Sequence, residues 1–143
     1  MERSGITKIL CSTMAQAAWV DGDEHTQDAA IRGMCATGGN LYLVNNGPYS
    51  EECPFPIYKY SCSTLLFVKG IGEFSGEEGG FACPSAICTD GTNLYITEDD
   101  GDPYYPSLAD IQKVLLDGTF VWKVGTQGED DDEFNVMWGI CVG

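Results

Sequence analysis

Acidic side chains offer most of the chemistry in this sequence. Asp99, Asp100 and Asp102 lie within four consecutive positions, and five acidic residues in a row span 129–133. Ca²⁺ prefers oxygen ligands and takes roughly six to eight of them. The three aspartates are therefore a candidate Ca²⁺ site, although their spacing lacks the pattern of a helix–loop–helix Ca²⁺ loop. The alternative is a solvated acidic rim, which is what blocks of like charge usually form.

Aromatic residues accompany the acids in the same stretches of the chain. Pro54-Phe55-Pro56 and Tyr104-Tyr105-Pro106 are stiff aromatic clusters, and such clusters suit contact with a protein or a glycan. The sequence therefore predicts a binding surface that adds five aromatic residues to the three aspartates: Tyr49, Phe55, Tyr104, Tyr105 and Trp138. The alternative is that each cluster folds back over its own sheet.

Catalytic groups are scarce. His25 is the only histidine, and the sequence contains neither a Gly-x-Ser-x-Gly nucleophile motif nor a phosphate-binding glycine loop. A single histidine in a loop lacks the partner that acid–base catalysis requires. We therefore assign no catalytic residue, expect no cofactor other than the candidate Ca²⁺, and favour a protein that is not an enzyme.

The chain is strongly acidic, with a formal net charge of −15 and a pI near 4.1. Nucleic acids and anionic membrane surfaces would repel it, because its seven Lys and Arg residues are scattered. No apolar run approaches the roughly 18 residues of a transmembrane helix, so membrane insertion is not expected. The partners that fit this charge are cations and basic protein surfaces, although acidity can also serve solubility alone.

The elements that carry these residues repeat along the chain. Asn40-Leu41-Tyr42 recurs as Asn93-Leu94-Tyr95, and Cys35 recurs as Cys88 and again as Cys141, each 53 positions further on (88 − 35 and 141 − 88). A fixed period of this length indicates a repeat architecture, in which each unit buries its faces against its neighbours.

Each repeat is predicted to contain four short strands, a to d, and little or no helix, because apolar residues alternate between turn signals such as Asp90-Gly91 and Asp117-Gly118. The predicted strands a are 32–36, 85–89 and 138–142, the strands b are 40–44 and 93–97, the strands c are 6–10, 57–61 and 111–115, and the strands d are about 16–20, 65–69 and 119–124. The first 19 residues could instead be a signal peptide. The match of Ile6-Thr7-Lys8 to Ile57-Tyr58-Lys59 favours a strand.

The seven cysteines follow the repeat only in part. Cysteines that recur at one strand position are most simply small buried side chains. Cys53 and Cys83 have no repeat counterparts and lie in predicted loops, so they are the candidates for a disulfide. No Cys-x-x-Cys pair is present, which argues against a zinc ribbon or a thioredoxin-type redox motif.

The repeat resembles the NHL repeat, whose members form β-propellers of four-stranded antiparallel blades. The residues that carry the resemblance are Phe81-x-x-Pro84-x-x-Ile87-x-x-Asp90-Gly91-x-x-Leu94-Tyr95-Ile96, then Ile111-Gln112-Lys113-Val114, then Asp117-Gly118-Thr119-Phe120-Val121, then Val124-Gly125-x-x-Gly128. Two features depart from that family. Asn45 and Glu98 replace the Asp that usually closes strand b, and the usual Arg at the start of strand c is replaced by Pro56 and Asp110.

The resemblance implies an all-β chain of propeller blades that is incomplete by itself, since propellers close with roughly four to eight blades. The expected organisation is a partial blade with strands c and d, two blades, and the first strand of a further blade, in the order 1–27, 28–80, 81–133 and 134–143. Either the chain is part of a longer protein, or copies associate. Two copies would give a six-bladed ring, although its shared blades would lack strand b.

The predicted function is a non-enzymatic interaction or assembly module that binds a protein partner or self-associates, with an acidic loop face. Some propeller enzymes that resemble this family hold a metal ion in the central channel. The chain could accordingly be a fragment or subunit of a metal-dependent hydrolase or lyase. A third alternative is a structural subunit of a filament or extracellular assembly. The sequence does not determine the cellular compartment, although it slightly favours a secreted protein.

Overall fold

The computed structural model describes residues 30–47, 51, 54–99, 109–131 and 133–143, together with the backbone of 5–10 and 15–21. All regular structure in these ranges is β-strand. No helix with the length and apolar character of a membrane crossing occurs in this part of the chain. The prediction of an all-β chain is confirmed.

The strands form two four-stranded antiparallel sheets and two smaller pairs. In each large sheet, consecutive strands are hydrogen-bonded neighbours, which is the meander expected of a propeller blade. The first blade contains β3 (Ile31–Thr37), β4 (Asn40–Asn45), β5 (Ile57–Ser61) and β6 (Phe67–Ile71). The second blade contains β7 (Pro84–Thr89), β8 (Asn93–Glu98), β9 (Ile111–Leu115) and β10 (Phe120–Val124). The smaller pairs are β1 (Gly5–Leu10) with β2 (Ala15–Asp21), and β11 (Thr126–Gln127) with β12 (Glu133–Phe134).

The turn between β7 and β8 forms where Asp90-Gly91 predicted it. The Asp90 carboxylate accepts hydrogen bonds from the backbone N–H groups of Thr92 at 2.8 Å and Asn93 at 2.7 Å. Gly91 has a φ of 93°, a conformation that costs a residue with a Cβ about 1–2 kcal/mol. The hydrogen bonds that Asp90 accepts, above all from the Asn93 side chain, hold the pKa of this carboxyl well below its usual range.

The two blades share backbone irregularities as well as strand order. The pairing of strands a and b shifts register around Arg32 in the first blade and around Ser85 in the second. The pairing of strands c and d shifts register after Lys59 in the first blade and after Lys113 in the second. The β1–β2 pair has the same shift after Lys8, the residue that corresponds to Lys59 in the sequence match. Each shift reflects one extra residue in one strand, a β-bulge, which bends that strand. The same bend therefore recurs at the same place in each unit.

The blades pack side by side through their first strands. A Cβ atom on Gly33 of β3 would lie 3.2 Å from the Cα atom of Ala86 in β7, so the two strands approach closely here. Side chains from both blades fill the space between them: Tyr42, Val44, Ile57, Ile71, Phe81, Ile87, Leu94, Ile96 and Val114. A smaller aromatic cluster lies on the other face of the first blade: Leu43, Tyr58 and Tyr60, with Ile31, Leu41, Phe55 and Phe67 against them.

Two strand predictions need correction. Strand d of the first blade begins at Phe67 rather than at Leu65, because Leu65 has a φ of 56° and extends the turn. The strand predicted at 138–142 does not form, since no described strand pairs with it. The segment nevertheless runs beside β7, where the Ser85 hydroxyl donates a hydrogen bond of 3.0 Å to the Met137 carbonyl oxygen.

Candidate functional site

One face of the second blade is more exposed than the corresponding face of the first. Ile71 and Val124 hold the same place in strand d of their blades, yet Ile71 is 2% exposed and Val124 is 45% exposed. The second blade covers Ile71, whereas nothing in the described chain covers Val124 to the same extent. We call this surface the open face and define it as Tyr95, Ile111, Lys113, Trp122 and Val124.

The open face combines an aromatic pair with a cation. The rings of Tyr95 and Trp122 lie 6.1 Å apart, and the Lys113 ammonium group lies 5.3 Å from the centre of the Tyr95 ring. The first blade has the same arrangement between Lys59 and Tyr42, at 5.4 Å, but there the tyrosine is fully buried against the second blade. Aromatic and cationic groups with apolar neighbours are typical of protein interfaces.

The C-terminal segment adds apolar surface beside the open face. Trp138, predicted as a binding residue, is 83% exposed. Val136 and Val142 in the same segment are also exposed. The thiol of Cys141 lies near enough to Cys88 to contribute to a raised pKa of Cys88, after the larger effect of burial. The segment therefore runs along β7 over much of its length.

The other predicted binding residues do not join this surface. Phe55 packs edge-on against Tyr58, with ring centres 6.1 Å apart, and its ring fills the space over Gly70. It folds back over its own blade, which is the alternative arrangement given in the sequence analysis, and its role in binding stays a prediction. The remaining predicted aromatics, Tyr49, Tyr104 and Tyr105, lie outside the described residues.

The candidate Ca²⁺ site lies mostly outside the described residues, which exclude Asp100 and Asp102. Asp99 is half-buried, and its backbone N–H donates to the carbonyl oxygen of Cys83 at 3.0 Å. Across the described ranges, no three His, Cys, Asp or Glu side chains come together in a way that could hold a metal ion. The Ca²⁺ site stays a prediction. The disulfide between Cys53 and Cys83 also stays one, because Cys53 is not described.

A buried polar cluster at the end of the second blade was not predicted. Glu98 accepts hydrogen bonds from the backbone N–H groups of Ala82 at 2.6 Å and Cys83 at 3.2 Å, and from the Gln112 side chain at 2.9 Å. Gln112 also donates to the Gly80 carbonyl oxygen at 2.7 Å. The two side chains therefore clamp the connection that leads into β7 onto strands b and c of the same blade.

In the first blade, the side-chain amide of an asparagine holds the corresponding connection. Asn45, which corresponds to Glu98, accepts hydrogen bonds from the backbone N–H groups of Ala30 and Gly47, each at 2.9 Å. The residue that closes strand b thus holds the chain that enters strand a in both blades. The sequence carries a signal for this role, because Asn45 and Glu98 occupy one repeat position, 53 residues apart (98 − 45).

Asp110 lies beside Glu98 and gives the cluster its electrostatic character. Its Oδ2 atom pairs with the Lys123 ammonium group at 2.7 Å, and its buried Oδ1 atom has no hydrogen-bond partner among the described residues. Burial, followed by the nearby Asp110, raises the pKa of Glu98 to about 7. Burial also raises the pKa of Asp110, against the opposing effect of Lys123.

With this geometry established, comparison with known proteins adds no assignment. No protein-family model matches the chain, and no curated protein is significantly similar to it.

The polar cluster and the open face suggest different roles. Carboxylates with raised pKa values often mark catalytic sites. Here, however, both oxygens of Glu98 accept hydrogen bonds from groups of its own blade. The cluster therefore serves to hold a loop, and the open face is the stronger candidate for a binding site.

Proposed function

We propose that this chain is a non-enzymatic interaction module, and that the open face binds a propeller-type blade supplied by a protein partner. The observation that carries the proposal is the contrast between Ile71, 2% exposed, and Val124, 45% exposed, at one position of two successive blades. One blade has its neighbour and the other has none in the described chain. The NHL-like pattern of the sequence supports the same conclusion, because blades of that family occur in complete rings.

Energetics favour covering this face. Burial of apolar surface stabilises an interface by roughly 25 cal/mol for each Å² that is removed from water. The second blade exposes Trp122 and Val124 on its outer face. A partner blade would bury Val124 as the second blade buries Ile71. Its turn between strands c and d would lie against Trp122, as Asp117 of the second blade lies against Lys69.

The acidic loops beside the open face affect how a partner approaches it. The connections that follow strand d carry Glu73, Glu77 and Glu78 in the first blade and the acids of 129–133 after the second. A negative rim at the edge of an apolar face orients a partner more than it tightens binding. We propose that this rim makes binding to the open face sensitive to salt, with a sign that depends on the charge of the partner's matching loops.

A chain with one additional blade tests the proposed function. In it, a second copy of residues 81–133, with phenylalanine in place of its own tryptophan, follows residue 133, and the C-terminal segment 134–143 comes last. The added blade is expected to cover the open face, and hydroxyl-radical footprinting should then show several-fold slower oxidation of Trp122. Val124→Asp should abolish this protection. Val68→Asp, a change at an exposed valine of strand d in the first blade, should leave it intact. Unchanged oxidation of Trp122 in the extended chain would refute the proposal.

A further inference from the structure

The contact between the two blades shows what an occupant of the open face must provide. The turn between strands c and d of the second blade lies over strands b and d of the first. There the Tyr42 hydroxyl donates to the Leu116 carbonyl oxygen at 3.5 Å, and the Lys69 ammonium group donates to the Asp117 carbonyl oxygen at 2.8 Å. A suitable occupant therefore presents strands c and d and their connecting turn.

The β1–β2 pair has the form of strands c and d. It is antiparallel, its register shifts after Lys8 as that of β5–β6 shifts after Lys59, and its sequence matches that of β5. In the described chain, β1 and β2 are hydrogen-bonded only to each other. An isolated pair of strands is marginally stable in water and gains from a third strand or a packed face.

The C-terminal segment 135–143 can supply strand a of the same unit. It runs beside β7, as β7 runs beside β3, and the Ser85 hydroxyl reaches the Met137 carbonyl oxygen at 3.0 Å. Its outward residues Val136 and Trp138 are exposed. One end of the chain thus begins a blade for which the other end has strands c and d.

We propose that the open face binds the β1–β2 pair of a second copy of this chain, and that two such contacts close a ring of two copies. The inference rests on the proposed function and names its partner. Each copy contributes two blades, and each contact forms a shared blade, which gives six blades in all. This number lies within the range of roughly four to eight blades in which propellers close.

Charge makes the association sensitive to salt. Each copy carries a net charge of −15, so two copies repel each other at low ionic strength. Added salt screens that repulsion, and the dimer should become several-fold tighter as salt is raised. Attraction between this acidic chain and a basic partner would weaken under the same change, so the sign of the salt effect distinguishes the two kinds of binding.

Sedimentation velocity on the full chain tests the oligomer. We expect a concentration-dependent shift from monomer to dimer between about 1 and about 200 μM, stronger at about 0.5 M than at about 0.1 M NaCl. Val124→Asp should weaken the dimer at least about tenfold, as expected for a buried, unpaired charge. Val68→Asp should leave the dimer unchanged, and circular dichroism would verify that both variants are folded.

A photocrosslinker at position 122 tests the contact. We would replace Trp122 with benzoylphenylalanine and mix labelled and unlabelled chains, so that adducts between copies are recognised by mass. Adducts within 5–21 of the second copy support the proposal. Adducts within 111–124 of the second copy, or a chain that stays monomeric at every concentration, overturn it. If the original chain stays monomeric but the chain with the added blade protects Trp122 from oxidation, the second copy is the wrong partner and the proposed function stands. If the added blade gives no protection, the proposed function fails as well.

Discussion

Glu98 and Gln112, which are 14 residues apart in the sequence, meet through a buried hydrogen bond of 2.9 Å between the carboxylate and the side-chain amide. The bond joins strand b to strand c at the end of the second blade. Through Ala82 and Gly80, the same two side chains hold the connection that enters strand a. Stability of this connection therefore depends on the charge of one carboxyl group.

The first prediction concerns pH. Glu98 has a pKa of about 7 in the folded chain and about 4.5 when unfolded, so the folded state binds the extra proton between these values. The stability that this proton provides is complete below pH 4.5 and is lost as the pH rises through 7. The loss amounts to about 3 kcal/mol in the free energy of unfolding.

Urea unfolding, followed by tryptophan fluorescence between pH 4.5 and 8, checks this prediction in the wild-type chain and in Glu98→Gln. The variant cannot titrate at this position, so its unfolding free energy should fall less as the pH rises. Asp110→Asn is the matched comparison, because the pKa of Asp110 is raised by burial and contributes in the same direction. Parallel pH curves for wild type and Glu98→Gln would contradict the prediction.

The second prediction concerns the ion pair between Asp110 and Lys123, whose charged atoms lie 2.7 Å apart. Lys123→Met leaves a buried carboxylate without its partner, which should cost about 3 kcal/mol in unfolding free energy near pH 8. The double variant Asp110→Asn with Lys123→Met removes both charges and should recover most of this loss.

Lys113→Met serves as the control for removal of a lysine from the second blade. Its ammonium group lies 5.3 Å from the centre of the Tyr95 ring, and its loss should cost less than about 1 kcal/mol. For the ion pair itself, the prediction would be contradicted if the losses in Asp110→Asn and Lys123→Met simply added in the double variant. Additivity would show that the two charges contribute no coupling energy.

Local signals predicted the strands well and the polar cluster poorly, for a physical reason. The Asp90-Gly91 turn and the bounds of β5 and β9 follow from short-range preferences that the residues carry themselves. Glu98 and Asp110 become neighbours only when β8 pairs with β9, so no short stretch of the sequence predicts their interaction. The predicted strand at 138–142 illustrates the same limit, because a strand requires a partner that its own residues cannot specify.

The third prediction tests the close approach of the blades at Gly118. A Cβ atom there would lie 2.7 Å from the Ile71 Cγ2 atom of the first blade, and the residue has a φ of 98°. Gly118→Ala should therefore suffer backbone strain and a steric clash, with a total loss of about 2–4 kcal/mol in unfolding free energy.

Gly91→Ala separates these two effects. Gly91 has a similar φ of 93°, but the nearest atom to its Cβ position is 3.9 Å away. It should lose only the strain, about 1–2 kcal/mol. Ile71→Ala removes the Cγ2 atom and should make a second change of Gly118 to alanine less costly. Equal losses in Gly118→Ala and Gly91→Ala would show that the blades do not touch at this turn.

The fourth prediction concerns the row of thiols along the strand a positions. Burial, followed by the nearby Cys88, raises the pKa of Cys35 to about 11 from 9.0. The thiolate is the reactive form, so Cys35 should carry about 100-fold less of it than an ordinary thiol at pH 8. Cys141 is exposed and should react with iodoacetamide first, followed by Cys88 and then by Cys35.

Mass spectrometry of time-resolved iodoacetamide labelling measures these three rates in one sample. In urea the three thiols should react at similar rates, which verifies that the order arises from the fold. If the C-terminal segment joins a shared blade, the labelling of Cys141 should also slow as the chain concentration rises, because the second copy then covers part of this segment. Rapid labelling of Cys35 in the folded chain would mean that β3 and β7 do not cover it, and the packing of the two blades through their first strands would have to be revised.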